Sequence, residues 1–213
     1  MTVRPASRTL VIDAATAACS IALVEDGAVI ARAHDEVGRG HAERLIPIIA
    51  ALPDGGRANH ILVDVGPGSF TGIRVGIAAA RGLALGWGAT VAGYSSLALI
   101  AAGAPASLDH PFAVVIEGGH GEVFMQSFAR QPRFQALDDM VSLKPAEALA
   151  RLGDRTALGT GVHRLADLPP AQNGGADWLP DALNATMLPQ SYRTLPPRPL
   201  YGRAPDAKLP SPR

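Results

Sequence analysis

The sequence predicts a mixed α/β protein with two lobes, and three observations support that class. Residues 61–65 read ILVDV, a run of β-branched and leucine residues typical of a strand buried on both faces. The string GPGSFTG at 66–72 then breaks the strand and leads into a long apolar helix that reaches residue 86. A Gly-, Pro- and Ser-containing stretch at 103–107 marks a boundary, so we expect an N-terminal lobe at 1–104 and a smaller C-terminal lobe with a Pro-rich tail at 105–213.

The first lobe is predicted to open with strands at 9–13, 20–25 and 29–35, and Asp26-Gly27 is a strong hairpin signal between the last two. Residues 41–52 form an amphipathic helix whose apolar face carries Leu45, Ile48, Ile49 and Leu52. Because proline cannot donate a backbone hydrogen bond, Pro47 predicts a kink or a later helix start. A strand at 90–93 and a helix at 96–102 complete the lobe.

The helix after GPGSFTG is predicted to have Thr71 as its N-cap. It carries a row of small residues four apart, which we call the small-residue row: Gly72, Gly76, Ala80 and Ala84. Glycine weakens a helix interior by roughly 1 kcal/mol relative to alanine, so this row predicts close approach of another backbone, and we expect a partner there. Arg74 opposes the helix dipole, so we also expect it to meet a carboxylate or another acceptor, within the lobe or on a partner.

The second lobe is predicted to contain strands at 112–117 and 122–128 around a Gly-Gly-His-Gly turn, a helix at Pro145–Leu152 with proline in its first position, and a strand at 156–159. After residue 168 the chain is rich in Pro and Gly and weakly periodic, which indicates loops with short elements.

Composition excludes several classes. The 19 basic and 19 acidic residues cancel, so no overall field attracts the chain to nucleic acid or an anionic membrane. A single cysteine, Cys19, excludes an internal disulfide and fits a reducing cytoplasm. The polar N-terminus predicts no signal peptide. Residues 82–108 carry no charge, but glycines, Tyr94 and serines interrupt that run, which favours a buried interior over a membrane span.

Standard catalytic motifs are absent from the sequence. GPGSFTG has no lysine after its last glycine, as a P-loop requires, and its glycine spacing does not fit a dinucleotide fingerprint. None of the six histidines forms an H-x-x-x-H pair, so no metal site is predicted. Glu117, His120 and Glu122 cluster around the Gly-Gly-His-Gly turn and could act as acid, base or ligand, but ordinary polar turn residues are the favoured interpretation.

The string GPGSFTGIRVGIAAARGLALG resembles the signature of the bacterial TsaB family of tRNA threonylcarbamoyladenosine biosynthesis proteins. LVIDAATAACSIALVEDG, HAERLIPII and PLYGRAPDAKLP resemble further landmarks of that family in the same order, so the resemblance spans about residues 9–210. It implies the two-lobed actin-like, ribonuclease H-like fold, with a reduced second lobe. In that fold Asp13 and Thr16 occupy the first phosphate loop, but Ala15 replaces its usual glycine, which implies a vestigial loop and no cofactor.

The resemblance implies a non-catalytic subunit in the cytoplasm. Family members pair with TsaD, which transfers threonylcarbamoyl onto the adenosine next to the anticodon of tRNAs reading codons that begin with A. The ATPase TsaE joins that complex, tRNA is reached only through it, and the isolated subunit can form a homodimer. The implied partner interface lies on two helices of the first lobe: His41, Leu45, Ile49, Thr71, Arg74, Gly76, Ile77 and Ala80. The alternative is a metallopeptidase-like or ATP-dependent enzyme of the same superfamily.

Overall fold

The computed structural model describes residues 7–38 and 40–200, which form two β-sheets and four α-helices. The mixed α/β class predicted from the sequence is confirmed. The predicted tail from residue 201 onward lies outside the described residues.

The first sheet contains five strands: β1 Arg8–Asp13, β2 Ala18–Glu25, β3 Ala28–Glu36, β4 His60–Asp64 and β5 Thr90–Tyr94. Their order is β3-β2-β1-β4-β5, with β1, β2 and β3 antiparallel and β1, β4 and β5 parallel. Asp26 and Gly27 both have positive φ, at 48° and 87°, as a tight hairpin turn requires. The predicted three-strand opening and its hairpin are therefore confirmed.

Helices cover both faces of this sheet. Helices α1 His41–Ala50 and α2 Phe70–Trp87 share one hydrophobic core with Leu10, Ile12 and Val63 of the strands. Helix α3, Ser96–Gly103, packs on the opposite face, where Val11 and Leu62 point. This alternation follows from the period of two in a β-strand.

Two predicted helix starts need correction. Helix α1 begins at His41 and continues through Pro47, so the predicted later start is wrong. Helix α2 begins at Phe70, and its N-cap is Ser69 rather than Thr71: the backbone N–H of Gly72 donates to Ser69 Oγ at 3.2 Å. Capping positions shift by one or two residues when several hydroxyls stand side by side.

The second sheet has the order β10-β6-β7-β8, and β9 also pairs with β7. Its strands are β6 Phe112–Glu117, β7 Val123–Ala129, β8 Gln135–Ala136, β9 Val141–Leu143 and β10 Thr156–Leu158. The predicted strands and helix α4, Pro145–Leu152, are present, whereas the short β8 and β9 were not predicted. Helix α3 shares a core with both sheets, which joins the two halves of the molecule.

The chain returns to the first sheet after completing the second. A 3-10 segment, Ala182–Met187, packs against β1, β2 and β3, and the N–H of Leu200 donates to Val65 O at 2.8 Å. Leu195 forms an antiparallel bridge with Gly93 of β5. The predicted boundary falls between α3 and β6, and residues 182–200 cross back over it.

The uncharged run at 82–108 is divided among α2, β5 and α3. Across the described residues, no helix is both long and apolar enough to traverse a bilayer.

Candidate functional site

Two aspartates end the neighbouring parallel strands β1 and β4, and both are buried. Asp13 is 0% and Asp64 is 1% exposed. The hydroxyl of Tyr94 donates to Asp13 Oδ2 at 3.0 Å, and the hydroxyl of Ser96 donates to Asp64 Oδ2 at 2.6 Å. The backbone N–H of Gly66 donates to Asp64 Oδ1 at 2.6 Å. The pair therefore lies in a closed polar network instead of an open cleft.

Burial raises the pKa of both carboxyl groups of this pair. Burial raises the pKa of Asp13 well above its usual range, and the neighbouring charge of Asp64 raises it further. Burial also raises the pKa of Asp64, but hydrogen bonds from Asp13, Ser96 and Gly66 favour its charged form. The pKa of Asp13 is raised more than that of Asp64, which favours a neutral Asp13 beside a charged Asp64, because two adjacent buried charges repel.

The GPGSFTG turn closes over the loop after Asp13. The backbone N–H of Ser69 donates to Ala15 O at 2.6 Å. A side chain at Gly68 would overlap the Ala15 carbonyl, and one at Gly72 would overlap the Ala14 carbonyl. The two glycines are thus required because two backbone segments touch there, which explains the unusual string in the sequence.

The loop predicted to be a vestigial phosphate loop is consequently filled by protein. Backbone N–H groups bind phosphate only when they point into open space. Here the N–H of Ala15 donates to Asp13 Oδ1 at 3.3 Å, and the Ala15 carbonyl accepts from the N–H of Ser69. Thr16 is half-buried, and its hydroxyl accepts from the N–H of Ala18 at 3.4 Å.

The apolar residues predicted for a partner interface face the lobe's own core. Leu45 and Ile49 of α1 are 0% and 2% exposed, and His41, also buried, lies with its Nε2 3.2 Å from Ala18 O. On α2, Ile77 and Ala80 are buried as well.

The small-residue row is likewise turned inward. A side chain at Gly76 would meet Ala14, Val63 and Ile12 of the same lobe. This packing corrects the sequence-based interpretation: the close backbone neighbour of the row is the chain's own first sheet and loop.

The outer surface of α2 carries a second row, with members three or four residues apart, which we call the outer stripe: Thr71, Arg74, Ala78, Gly82 and Leu85. All five are exposed, and Leu85 is 88% exposed. The guanidinium of Arg74 lies 3.4 Å from the centre of the Phe70 ring, a cation–π contact. On α1, Ile46 is an exposed apolar side chain. Thr71 and Arg74 are therefore the predicted interface residues that the structure leaves accessible.

Glu117 and Glu122, which flank the Gly-Gly-His-Gly turn, have different hydrogen-bond partners. Glu117 Oε1 accepts from Arg164 Nε at 2.8 Å and lies 3.1 Å from His163 Nε2. Glu122 accepts instead from the hydroxyl of Ser142 at 2.7 Å. Within the described parts of the chain, no three His, Cys, Asp or Glu side chains are grouped as a metal ion would need.

Sequence reasoning missed Asp64, Tyr94 and Ser96. A signal for Asp64 was present, since it stands in the last part of a buried strand, as Asp13 does. Carboxyl ends of adjacent parallel strands meet at one edge of a sheet, so the two acids could have been paired. Tyr94 and Ser96 gave no such signal, because their roles depend on where β5 ends.

Comparison with known proteins gives consistent results. Residues 32–168 match the family model described as TsaD, tRNA N6-adenosine threonylcarbamoyltransferase. The chain is 35% identical over 174 residues to the Escherichia coli tRNA threonylcarbamoyladenosine biosynthesis protein TsaB, covering 76% of this chain and 74% of that protein. It is 30% identical over 120 residues to Bacillus subtilis TsaB, covering 54% and 52% of the two chains.

Solved structures agree with these sequence matches. A Pseudomonas aeruginosa protein described as similar to peptidase YeaZ superposes with a TM-score of 0.75 at 27% identity, over 92% of this chain and all of that one. A structure of P. aeruginosa YeaZ gives a TM-score of 0.72 at 28% identity, over 85% and 90% of the chains. The similarity extends through both sheets of the fold.

Proposed function

Because this chain belongs to the TsaB family of tRNA threonylcarbamoyladenosine biosynthesis proteins, within the wider group matched by the TsaD model, we propose that it is a non-catalytic subunit that pairs with TsaD. The observation that carries the proposal is the closed state of the phosphate loop beside Asp13. Because the GPGSFTG turn packs directly against the loop after Asp13, this loop has no open space for a nucleotide phosphate. The chain is therefore proposed to act by binding another protein.

Three features support a non-catalytic role. Asp13 is fully buried, and burial raises its pKa well above the usual range, which disfavours the charged carboxylate that a Mg²⁺–nucleotide complex needs. The N–H of Ala15 donates to Asp13 Oδ1 at 3.3 Å, so this backbone donor is already engaged within the chain and is not free to bind phosphate. Glu117 forms an exposed ion pair with Arg164, whose Nε lies 2.8 Å from Glu117 Oε1, as an ordinary polar surface residue does.

ATP with Mg²⁺ is expected to leave the melting temperature of the isolated chain unchanged. Binding at a hundredfold excess over Kd would stabilise the fold by about 2.7 kcal/mol, which thermal denaturation detects readily. A saturable rise in melting temperature with ATP, reduced by Thr16→Ala, would instead support the alternative of an ATP-dependent enzyme.

We place the TsaD contact on the outward faces of α1 and α2. The outer stripe offers small residues at 78 and 82, where another helix can approach closely, with Leu85 and Ile46 as apolar anchors. Arg74, held over Phe70, supplies a charge at one end of the stripe. The buried residues Leu45, Ile49, Gly76, Ile77 and Ala80 hold the two helices in place.

Gly82→Arg is expected to weaken binding to the host's TsaD by at least about tenfold while leaving the isolated chain as stable as before. A Cβ added at the exposed Gly82 meets nothing within 4 Å, so the arginine side chain can extend into solvent in the monomer, and arginine is a better helix former than glycine by up to roughly 1 kcal/mol. At an interface the same side chain forces two helices apart. Isothermal titration calorimetry with purified TsaD measures the change.

Gly119→Arg is the matched control, because it adds the same side chain at another open glycine, in the second sheet's hairpin turn. It should bind TsaD like the wild type. Wild-type affinity in Gly82→Arg would move the contact away from the outer stripe, and absence of any complex with wild-type chain would remove the proposed pairing.

TsaE completes the proposed assembly, and tRNA is handled by that assembly, since the net charge of this chain is zero. We also propose that the chain functions in the cytoplasm, because the substrate of threonylcarbamoyladenosine biosynthesis is tRNA. In the absence of TsaD, the outer stripe can pack against the outer stripe of a second copy, which gives the proposed homodimer.

A further inference from the structure

A cavity of about 480 Å³ lies between the first sheet and the returning segment 185–194. Its floor is one face of the sheet. Val11, Leu62 and Ala92 form an apolar row across β1, β4 and β5, and they are register neighbours. The volume falls within the range of pockets that hold small organic molecules.

A polar row borders the apolar one. Thr9, His60 and Thr90 are also register neighbours, two residues earlier on the same three strands and on the same face. His60 Nδ1 lies 2.7 Å from Thr90 Oγ1. These residues stand at the amino ends of the parallel strands, so the cavity is at the opposite edge of the sheet from Asp13 and Asp64.

The roof of the cavity contributes the half-buried Arg193. Its Nε donates to Leu188 O at 2.7 Å and a terminal nitrogen donates to Thr186 O at 2.9 Å, which fixes the guanidinium against the roof. Within residues 7–38 and 40–200, no carboxylate lies within 4 Å of it, and the lining contains no acidic residue. Burial lowers the pKa of Arg193 because no acid in the described chain offsets the desolvation of its guanidinium.

We propose that this cavity binds a small amphipathic carboxylate. Arg193 lines the cavity, and its guanidinium retains N–H donors beyond those bound by Leu188 and Thr186, which a carboxylate can accept; the threonine hydroxyls add further donors. The apolar row receives a short hydrocarbon body. A phosphate dianion fits less well, because a single arginine stands without a second fixed cation, a glycine-rich amide cradle or a helix N-terminus.

The test uses the full chain, labelled with ¹⁵N and titrated with isovalerate, whose branched hydrocarbon body matches the apolar row. Backbone amide signals of residues lining the cavity are expected to shift saturably. Isovaleramide has the same shape without the charge, and it should bind about tenfold more weakly, as loss of a charge-assisted hydrogen bond implies. Arg193→Gln should weaken isovalerate binding by a similar factor.

Ala92→Leu fills the apolar row and leaves Arg193 in place, so it should block binding even if Arg193→Gln disturbs the roof. Arg198→Gln changes an exposed arginine that lies four residues beyond this segment and outside the cavity, and this variant should bind like the wild type. Absence of saturable shifts in the wild type, or unchanged binding in both Arg193→Gln and Ala92→Leu, would overturn the proposal. Tighter binding of inorganic phosphate than of isovalerate would overturn the assigned class of ligand.

Discussion

Gly72→Ala is expected to lower the free energy of unfolding by about 3 kcal/mol, at the upper end of overpacking penalties. The added methyl group would overlap the carbonyl oxygen of Ala14, and a backbone atom in a loop held by Ser69 and Asp13 cannot move aside as a flexible side chain would. For a chain of this length the loss corresponds to a fall of roughly 10 °C in melting temperature. Thermal and urea denaturation measure both quantities.

Gly82→Ala is the matched control, since it makes the same substitution in the same helix. Its methyl group meets nothing within 4 Å, and the helix gains the propensity of alanine, so stability should be unchanged or higher by up to about 1 kcal/mol. Similar melting temperatures for the two variants would mean that the GPGSFTG turn does not contact the loop after Asp13 as described.

Asp13→Asn is expected to stabilise the protein at neutral and alkaline pH by an amount on the order of 2 kcal/mol. The asparagine amide carries no negative charge, and its Oδ1 still accepts from the Tyr94 hydroxyl, whereas the long 3.3 Å bond from the Ala15 N–H is lost. The folded-state pKa of Asp13 lies well above the unfolded value of about 3.9. Stability from this group is therefore full below about pH 3.9 and is lost as pH rises through the folded-state pKa.

Melting temperatures from about pH 4 to about pH 9 test this sign. The wild type should lose stability toward the alkaline end, and Asp13→Asn should lose less, with the two curves converging in acid. Asp139→Asn, at an exposed aspartate, is the control and should follow the wild type. A loss of stability in Asp13→Asn that is equal at every pH would contradict a neutral Asp13.

The fold was largely predictable because its signals are local. The Asp-Gly hairpin, the alternation of short apolar strands and the proline at the start of α4 each depend on a few neighbouring residues. Strands β8 and β9 were missed because they contain two and three residues, too few for a period to emerge. The return of residues 182–200 to the first sheet was also missed, since long-range packing of irregular chain leaves no periodic pattern.

The candidate site was predictable only in part. The amphipathic pattern of α1 and the small-residue row of α2 indicate a close neighbour, but a pattern does not say whether that neighbour is the same chain. For both helices the close neighbour is the first sheet of the same chain. Leu45 and Gly76 pack against that sheet, whereas Ala78 and Leu85 lie on the exposed surface. The Asp13–Asp64 pair was hidden for a similar reason, because pairing depends on strand order.

The return of the chain to β5 has a consequence for synthesis on the ribosome. The bridge between Gly93 and Leu195 joins positions about 100 residues apart, which a ribosome adding about 5–20 residues per second separates by roughly 5–20 s. During that interval the face that receives residues 182–188 and the edge of β5 stay uncovered on the nascent chain. The first sheet is thus synthesised first but is covered last. During this delay its exposed apolar face is available for chaperones to bind.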